Sequence, residues 1–183
     1  MSNITVLFDT ETTGLLEPSI NDISKQPYIV ELYAVKIDDD FNVLGEFETY
    51  IKPPIPIPPE TSRIHGIDDA KVASSPAFAD IADDLCNFFV GVHNVVAHNL
   101  PYDRSMLANE LLRCDKLLNF PWPPNHICTV EKTKWIEQRR MNLSNLHTFC
   151  TGKPHENAHT AKADVFALVR CYHHLKETYP ERF

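Results

Sequence analysis

Two acids separated by one residue, Asp9 and Glu11, interrupt the apolar run VLFDTETTGL. In an extended strand residues i and i+2 share a face, so the two carboxylates project side by side. Like charges held that close raise each other's pKa unless a cation offsets the repulsion. Taken alone, the pair also fits a solvated strand end. A second group, AHNLPYDRSML, brings His98 and Asn99 to the close of a strand and Asp103 into the first turn of a helix opened by Pro101. An acid there favours the helix dipole whatever else it does. The third group, NAHTAKADVFALV, holds His159 and Asp164. Five residues apart, they lie about 140° around a helix and cannot share its face. With His159 in the preceding loop, Thr160 as N-cap and Asp164 in the first turns, both point at one spot. In isolation this spacing is equally an ordinary helix start.

The elements that must carry these groups are legible in the apolar pattern. Ile4 to Asp9 reads as a buried central strand ending at Thr12-Thr13-Gly14. Ile29 to Ile37 and Val43 to Ile51 read as an antiparallel hairpin across Asp38-Asp39-Asp40. The stretch KPPIPIPPE, Lys52 to Glu60, holds five of the chain's 14 prolines and is expected to be an extended, stiff connector. A helix around Ala77 to Phe89 precedes a short strand, Asn94 to Ala97, and the helix behind Pro101 presents Leu107, Leu111, Cys114 and Leu118 on one face. Leu143, Leu146 and Cys150 mark a shorter helix ending near Gly152, and Val165, Leu168, Val169, Tyr172 and Leu175 a last one. Strands first and helices later, with one βα unit at Val95 to Leu118, predict a mixed α/β domain on one sheet, spanning residues 1–183.

Composition narrows the function classes. Apolar stretches such as Val90 to Ala97 are far shorter than the roughly 20 residues of a membrane span. The N-terminal MSNITVLFDT lacks a basic region and cleavage site, so an intracellular, cytoplasmic protein without membrane attachment is expected. The five cysteines, Cys86, Cys114, Cys128, Cys150 and Cys171, are odd in number and widely spaced, which predicts thiols rather than a disulfide framework or zinc site. A net charge of −8 argues against a broad basic surface for long nucleic acid.

The ordered set of three groups resembles the motifs of the DEDDh, or DnaQ-like, 3′-to-5′ exonucleases, a family that includes polymerase proofreading subunits and RNA-trimming enzymes. FDTETTGL is similar to the first motif, HNLPYDRSML to the second and HTAKAD to the third, while IVELYAVKI and SRIHGI are similar to the strand and loop between them. Position 160 is Thr rather than Tyr and His159 fills the base position, as in the h branch. The resemblance covers nearly the whole chain. It implies an α/β, ribonuclease H-like mixed sheet, with antiparallel strands 1–3 plus parallel strands, flanked by helices.

It implies chemistry as well. Hydrolysis of a phosphodiester needs an activated water and charge stabilisation on both attacking and leaving oxygens, which two divalent ions about 3.5 to 4 Å apart supply. By similarity, Asp9 and Asp164 with Glu11 would hold one Mg²⁺ or Mn²⁺ and Asp103 the second; hard oxygen donors suit these ions better than zinc. His159 would take the proton of the attacking water, since a histidine's ordinary pKa lies near ~6.5. Thr12, Gly14 and Leu15 would meet the terminal nucleotide, with Leu15 as an apolar wedge, turn chemistry and core packing being the equal alternative, and His65 in IHGI would contact the substrate or else be polar surface of an exposed loop. His98, Asn99 and Tyr102 are further substrate candidates, His98 and Asn99 equally serving to brace the strand-helix corner and Tyr102 to fill core. Leu16 to Pro27 is read as a surface loop rather than a flap, and Cys128 as carrying no catalytic role. The histidines other than His98 and His159 form no evident ligand cluster.

The expected activity is exonucleolytic removal of nucleoside 5′-monophosphates from single-stranded DNA 3′ ends. RNA trimming by the same chemistry, and a proofreading subunit acting mainly with a polymerase, are the alternatives, with homodimerisation open. The end of the chain at Phe183, soon after its last helix, favours a stand-alone enzyme. A module that only binds nucleic acid is disfavoured, because every carboxylate the mechanism needs is present.

Overall fold

In the computed structural model, which describes residues 3–156 and 158–183, the first strand, β1 (Thr5–Thr12), is buried on both faces from Thr5 to Phe8. Such a strand must lie mid-sheet, with helices covering each side. It pairs antiparallel with β2 (Ile29–Ile37), and β2 with β3 (Val43–Tyr50). The chain then forms α1 (Pro59–His65) and α2 (Phe78–Phe89) before β4 (Asn94–Ala97) returns parallel to β1. After α3 (Leu100–Arg113), β5 (Asn125–Cys128) adds parallel to β4, completing a five-stranded sheet of order β3-β2-β1-β4-β5. The short helices α4 (Thr129–Lys132) and α5 (Lys134–Glu137) lead to α6 (Leu143–Thr151) and α7 (Ala161–Thr178). Antiparallel strands 1–3 and parallel strands 1, 4 and 5 make the mixed sheet that the family resemblance implies.

Alternation along β1 decides what each face carries. Val6 and Phe8 pack with Ala82, Leu85 and Phe89 of α2 and Met106, Leu107 and Leu111 of α3. Leu7 packs instead with Tyr33, Val35, Val96 and, from α7, Val165, Leu168 and Tyr172. With a period of two, Asp9 and Glu11 follow Leu7 toward α7, whereas Thr10 follows Phe8 toward α3. Behind α7, Leu146 and Cys150 of α6 pack with Cys171 and Leu175. Fully burying a Leu or Phe contributes about 1.5–3 kcal/mol, so each side of β1 is anchored by many such groups.

The structure departs from the sequence reading at several elements. β5 was not foreseen; of its four residues only Ile127 is buried, and so short a polar segment carries no periodic signal. Pro59 and Glu60, the end of the proline-rich stretch, open α1, since a proline in the first turn lacks only an N–H that has no partner there anyway. Leu118 lies beyond α3 in a 3-10 turn and is 97% exposed, so it does not extend that helix's apolar face. Leu16 to Pro27 is a loop as expected, pinned by Arg113, whose Nη2 donates to the carbonyls of Ile23, Gln26 and Pro27. Cys150 and Cys171 are buried, and the other three cysteines half-buried thiols. Among the described residues no helix is long and apolar enough to cross a membrane.

Candidate active site

β4 pairs with β1 only through Leu7. Past that point the Thr10 N–H goes to Asp103 Oδ1 at 3.2 Å, and the Thr10 hydroxyl donates to the same oxygen at 2.8 Å. Asp103, in the first turn of α3, is thereby fixed beside the end of β1 and is almost fully buried. From the opposite face of the sheet, α7 delivers Asp164 in its own first turn. One oxygen each of Asp9, Glu11 and Asp164 lie within 4.8 Å of one another.

The approach to α7 shows why His159 and Asp164 converge. His159 has φ 73°, a left-handed conformation uncommon for a residue with a side chain. Its N–H points at both Asp164 oxygens, at 3.4 and 3.3 Å, and Thr160 Oγ1 accepts from Ala163 N–H as the N-cap. The chain thus turns immediately before the helix, leaving the His159 side chain on the groove that Asp9, Glu11, Asp103 and Asp164 line.

Burial and mutual repulsion dominate the electrostatics. Burial first, then Asp103, Glu11 and Asp164, hold Asp9 well above the usual carboxylate range. Glu11 is pushed up to about 8 by burial, then by Asp164, Glu31 and Asp103. Burial lifts Asp103 to about 7 against the hydrogen bonds from Thr10. Asp164 is also raised by burial, with His155 and His159 opposing. At pH 7 Glu11 in particular retains its proton unless a cation replaces it. An all-carboxylate donor set of hard oxygens fits Mg²⁺ or Mn²⁺.

A groove of about 850 Å³ adjoins the acids and is lined in part by Thr12, Gly14, Leu15, Ile64, His65 and Tyr102. Leu15 and Ile64 are 79% and 60% exposed, an apolar surface with nothing packed over it. Tyr102 is neither simple core nor free: its hydroxyl donates to the Gly14 carbonyl at 2.9 Å and lies 2.6 Å from Thr12 Oγ1. His65 differs from an exposed loop histidine. It is buried at the end of α1, and Nδ1 accepts from Ile67 N–H, so Nε2–H donates to the Thr12 carbonyl at 3.3 Å. His98 takes the bracing role. Its Nε2–H donates to the Met141 carbonyl and its Nδ1 accepts from the Thr129 hydroxyl, both at 2.9 Å, and burial pulls its pKa down to about 4. Asn99 lines both the groove and the acid cluster.

Three residues join the site without having been singled out in the sequence. Glu31 stands opposite Glu11 in the β1–β2 register, is buried, and accepts the Ala161 N–H at the start of α7. Its only signal is an acid inside the apolar strand IVELYAVKI. Arg140 donates to Asn99 Oδ1 at 2.8 Å, bringing a cation to the edge of an acidic site. His155 lies 3.2 Å from Asp164, one histidine beside the acids rather than a ligand cluster of histidines.

A mixed sheet of this order, with carboxylates gathered from its central strand and from helices on both faces, is the frame of a ribonuclease H-like nuclease. Residues 6–172 match the family model RNase_T, described as exonuclease, and the chain belongs to that family, in its DnaQ-like group. It is 30% identical over 174 residues to the DNA polymerase III subunit epsilon of Buchnera aphidicola subsp. Acyrthosiphon pisum, covering 92% of this chain and 70% of that one. A DNA polymerase III subunit epsilon-like protein of Rhodobacter capsulatus is 33% identical over 169 residues, but these amount to 23% of its length. The fold is shared with the zinc-bound form of an E. coli exonuclease I complex with single-stranded DNA, at a TM-score of 0.82 and 21% identity, covering 99% of this chain and 42% of that one. The chain therefore spans well under half of some of the proteins it matches.

Proposed function

We propose that this protein is a divalent-metal-dependent 3′-to-5′ exonuclease that removes nucleoside 5′-monophosphates from single-stranded DNA 3′ ends. The observation that carries the reading is the meeting of Asp9, Glu11 and Asp164 oxygens within 4.8 Å beside Asp103 and His159. Asp9, Glu11 and Asp164 would hold one ion and Asp103 would help hold another. Such ions, when bound, lower the pKa of water and stabilise charge on the oxygens of an in-line displacement. His159 borders the acids from a loop and is the base that takes the proton of the attacking water. Leu15 and Ile64 present an apolar surface on which a terminal base stacks, and the turn Thr12 to Gly14, held by Tyr102 and His65, meets its sugar.

Single-stranded DNA is favoured by the exonuclease I complex, which contains it, and by relatives named as DNA polymerase subunits. Those names also support a second reading, a proofreading subunit associated with a polymerase, for which co-elution with a replicative polymerase is the check. Polarity tests the first reading. A strand labelled at its 3′ terminus is expected to lose the label as a mononucleotide in the first turnover, whereas a 5′ label is lost last. Early release of the 5′ label would contradict the assignment, and a matched RNA strand degraded faster than DNA would reassign the substrate.

A further inference from the structure

The loop between α6 and α7 buries a second histidine behind the acid cluster. His155 has a side chain 1% exposed, and its Nε2 lies 3.2 Å from Asp164 Oδ1. That nitrogen has no aligned hydrogen-bond partner, an expensive arrangement for a buried polar atom. The ring is nevertheless held from behind. Ser144 Oγ lies 3.4 Å from Nδ1, the arrangement in which a hydroxyl donor leaves the proton on Nε2. His147 packs beside it, tilted by 39°, at 5.6 Å between ring centres. His147 in turn accepts from Arg170 Nε at 3.0 Å, so its Nδ1–H donates to the Lys153 carbonyl at 3.1 Å. Arg170 on α7 thus fixes the loop that carries His155, through a histidine of α6.

A buried ring braced at its back, with Nε2 3.2 Å from one oxygen of a single carboxylate, does little for packing that an apolar side chain would not do better. We infer that His155 is a positioning residue: its Nε2–H secures Asp164 Oδ1 and so presents that carboxylate, with Asp9 and Glu11, to a divalent cation. The inference rests on the metal-site reading above. Partners that orient a ligating carboxylate typically govern metal affinity by 10- to 100-fold.

The test is calorimetric titration of the DNA-free protein with Mn²⁺ alone, comparing wild type with His155→Ala, His155→Phe and His155→Gln. The phenylalanine variant keeps a ring and its packing but no nitrogen, and serves where alanine fails to fold; glutamine restores an N–H donor. Wild type is expected to bind Mn²⁺, alanine and phenylalanine to weaken binding by roughly 10-fold or more, and glutamine to recover most of it. Melting in chelator verifies that each protein compared is folded. Phenylalanine binding as tightly as wild type, or folded glutamine as weakly as phenylalanine, would overturn the positioning role while leaving the metal site standing. A wild type that binds no Mn²⁺ would overturn both.

Discussion

Four carboxylates packed beside a fifth, Glu31, strain the folded state in proportion to how many are ionised. Glu11 shifts from 4.5 to about 8 on folding, chiefly through burial. Between those values the folded protein binds more protons than the unfolded chain, so stability falls as pH climbs through that window. Asp9 and Asp103 act in the same direction. In chelator, the melting temperature is expected to fall from about pH 5 to 8, and Asp9→Asn to flatten that fall and melt higher at pH 8, by roughly 2–4 °C per kcal/mol of repulsion relieved. An unchanged slope would mean that the acids do not repel. The lowered pKa of His98 works from the other side, with stability lost as pH drops from 6.5 toward about 4. His159→Ala should retain Mn²⁺ binding yet lose about 10²- to 10⁴-fold in turnover, since it removes a base rather than a ligand; a loss under tenfold would exclude that role. The acids and His159 were legible because their types and order along the chain resemble a family's motifs. Glu31 and His155 were not, because a cross-strand register and a buried ring's facing partner are three-dimensional facts that local spacing does not encode.

At the level of elements, each motif works because it sits where regular structure stops. β1 outruns β4, freeing the Thr10 N–H for Asp103, and the left-handed turn at His159 ends one residue before the N-cap of α7. Long apolar patterns made β1, β2, α2, α6 and α7 readable. β5 and α1 escaped because a four-residue edge strand and a seven-residue helix opened by proline carry too few buried positions to set a period. The Leu16 to Pro27 loop was legible as a loop, but not its anchorage. Arg113 grips three of its carbonyls and lies 3.2 Å from the buried Glu110, which accepts the Ile29 N–H. Arg113→Ala leaves Glu110 without its cation, and is expected to cost about 3–5 kcal/mol in denaturant melts. Because this grip lies outside the acid cluster, turnover of the folded variant at low temperature should change little; loss of turnover without loss of stability would assign the loop a role in the reaction.

The molecule as a whole is acidic, with 17 basic against 25 acidic residues, so long-range attraction to nucleic acid is weak and recognition must be local. On the proposed reading, Arg140 beside Asn99, the apolar Leu15 and Ile64, and cations bound by the acids would supply that locality. If only two or three phosphates are engaged, the logarithm of single-strand affinity should fall with log salt at a slope of about −1.4 to −2.1. A much steeper dependence would require an extended basic track that the composition does not provide. The central claim, that these acids make a metal-dependent exonuclease, is met most directly by a time course on a 5′-labelled single-stranded DNA oligomer with Mg²⁺, Mn²⁺ or chelator, for wild type beside Asp9→Ala. A ladder shortening stepwise from the 3′ end, present only with metal and only in wild type, is the expected result. An intact strand with either metal, or a ladder that persists in chelator or in Asp9→Ala, would contradict the account.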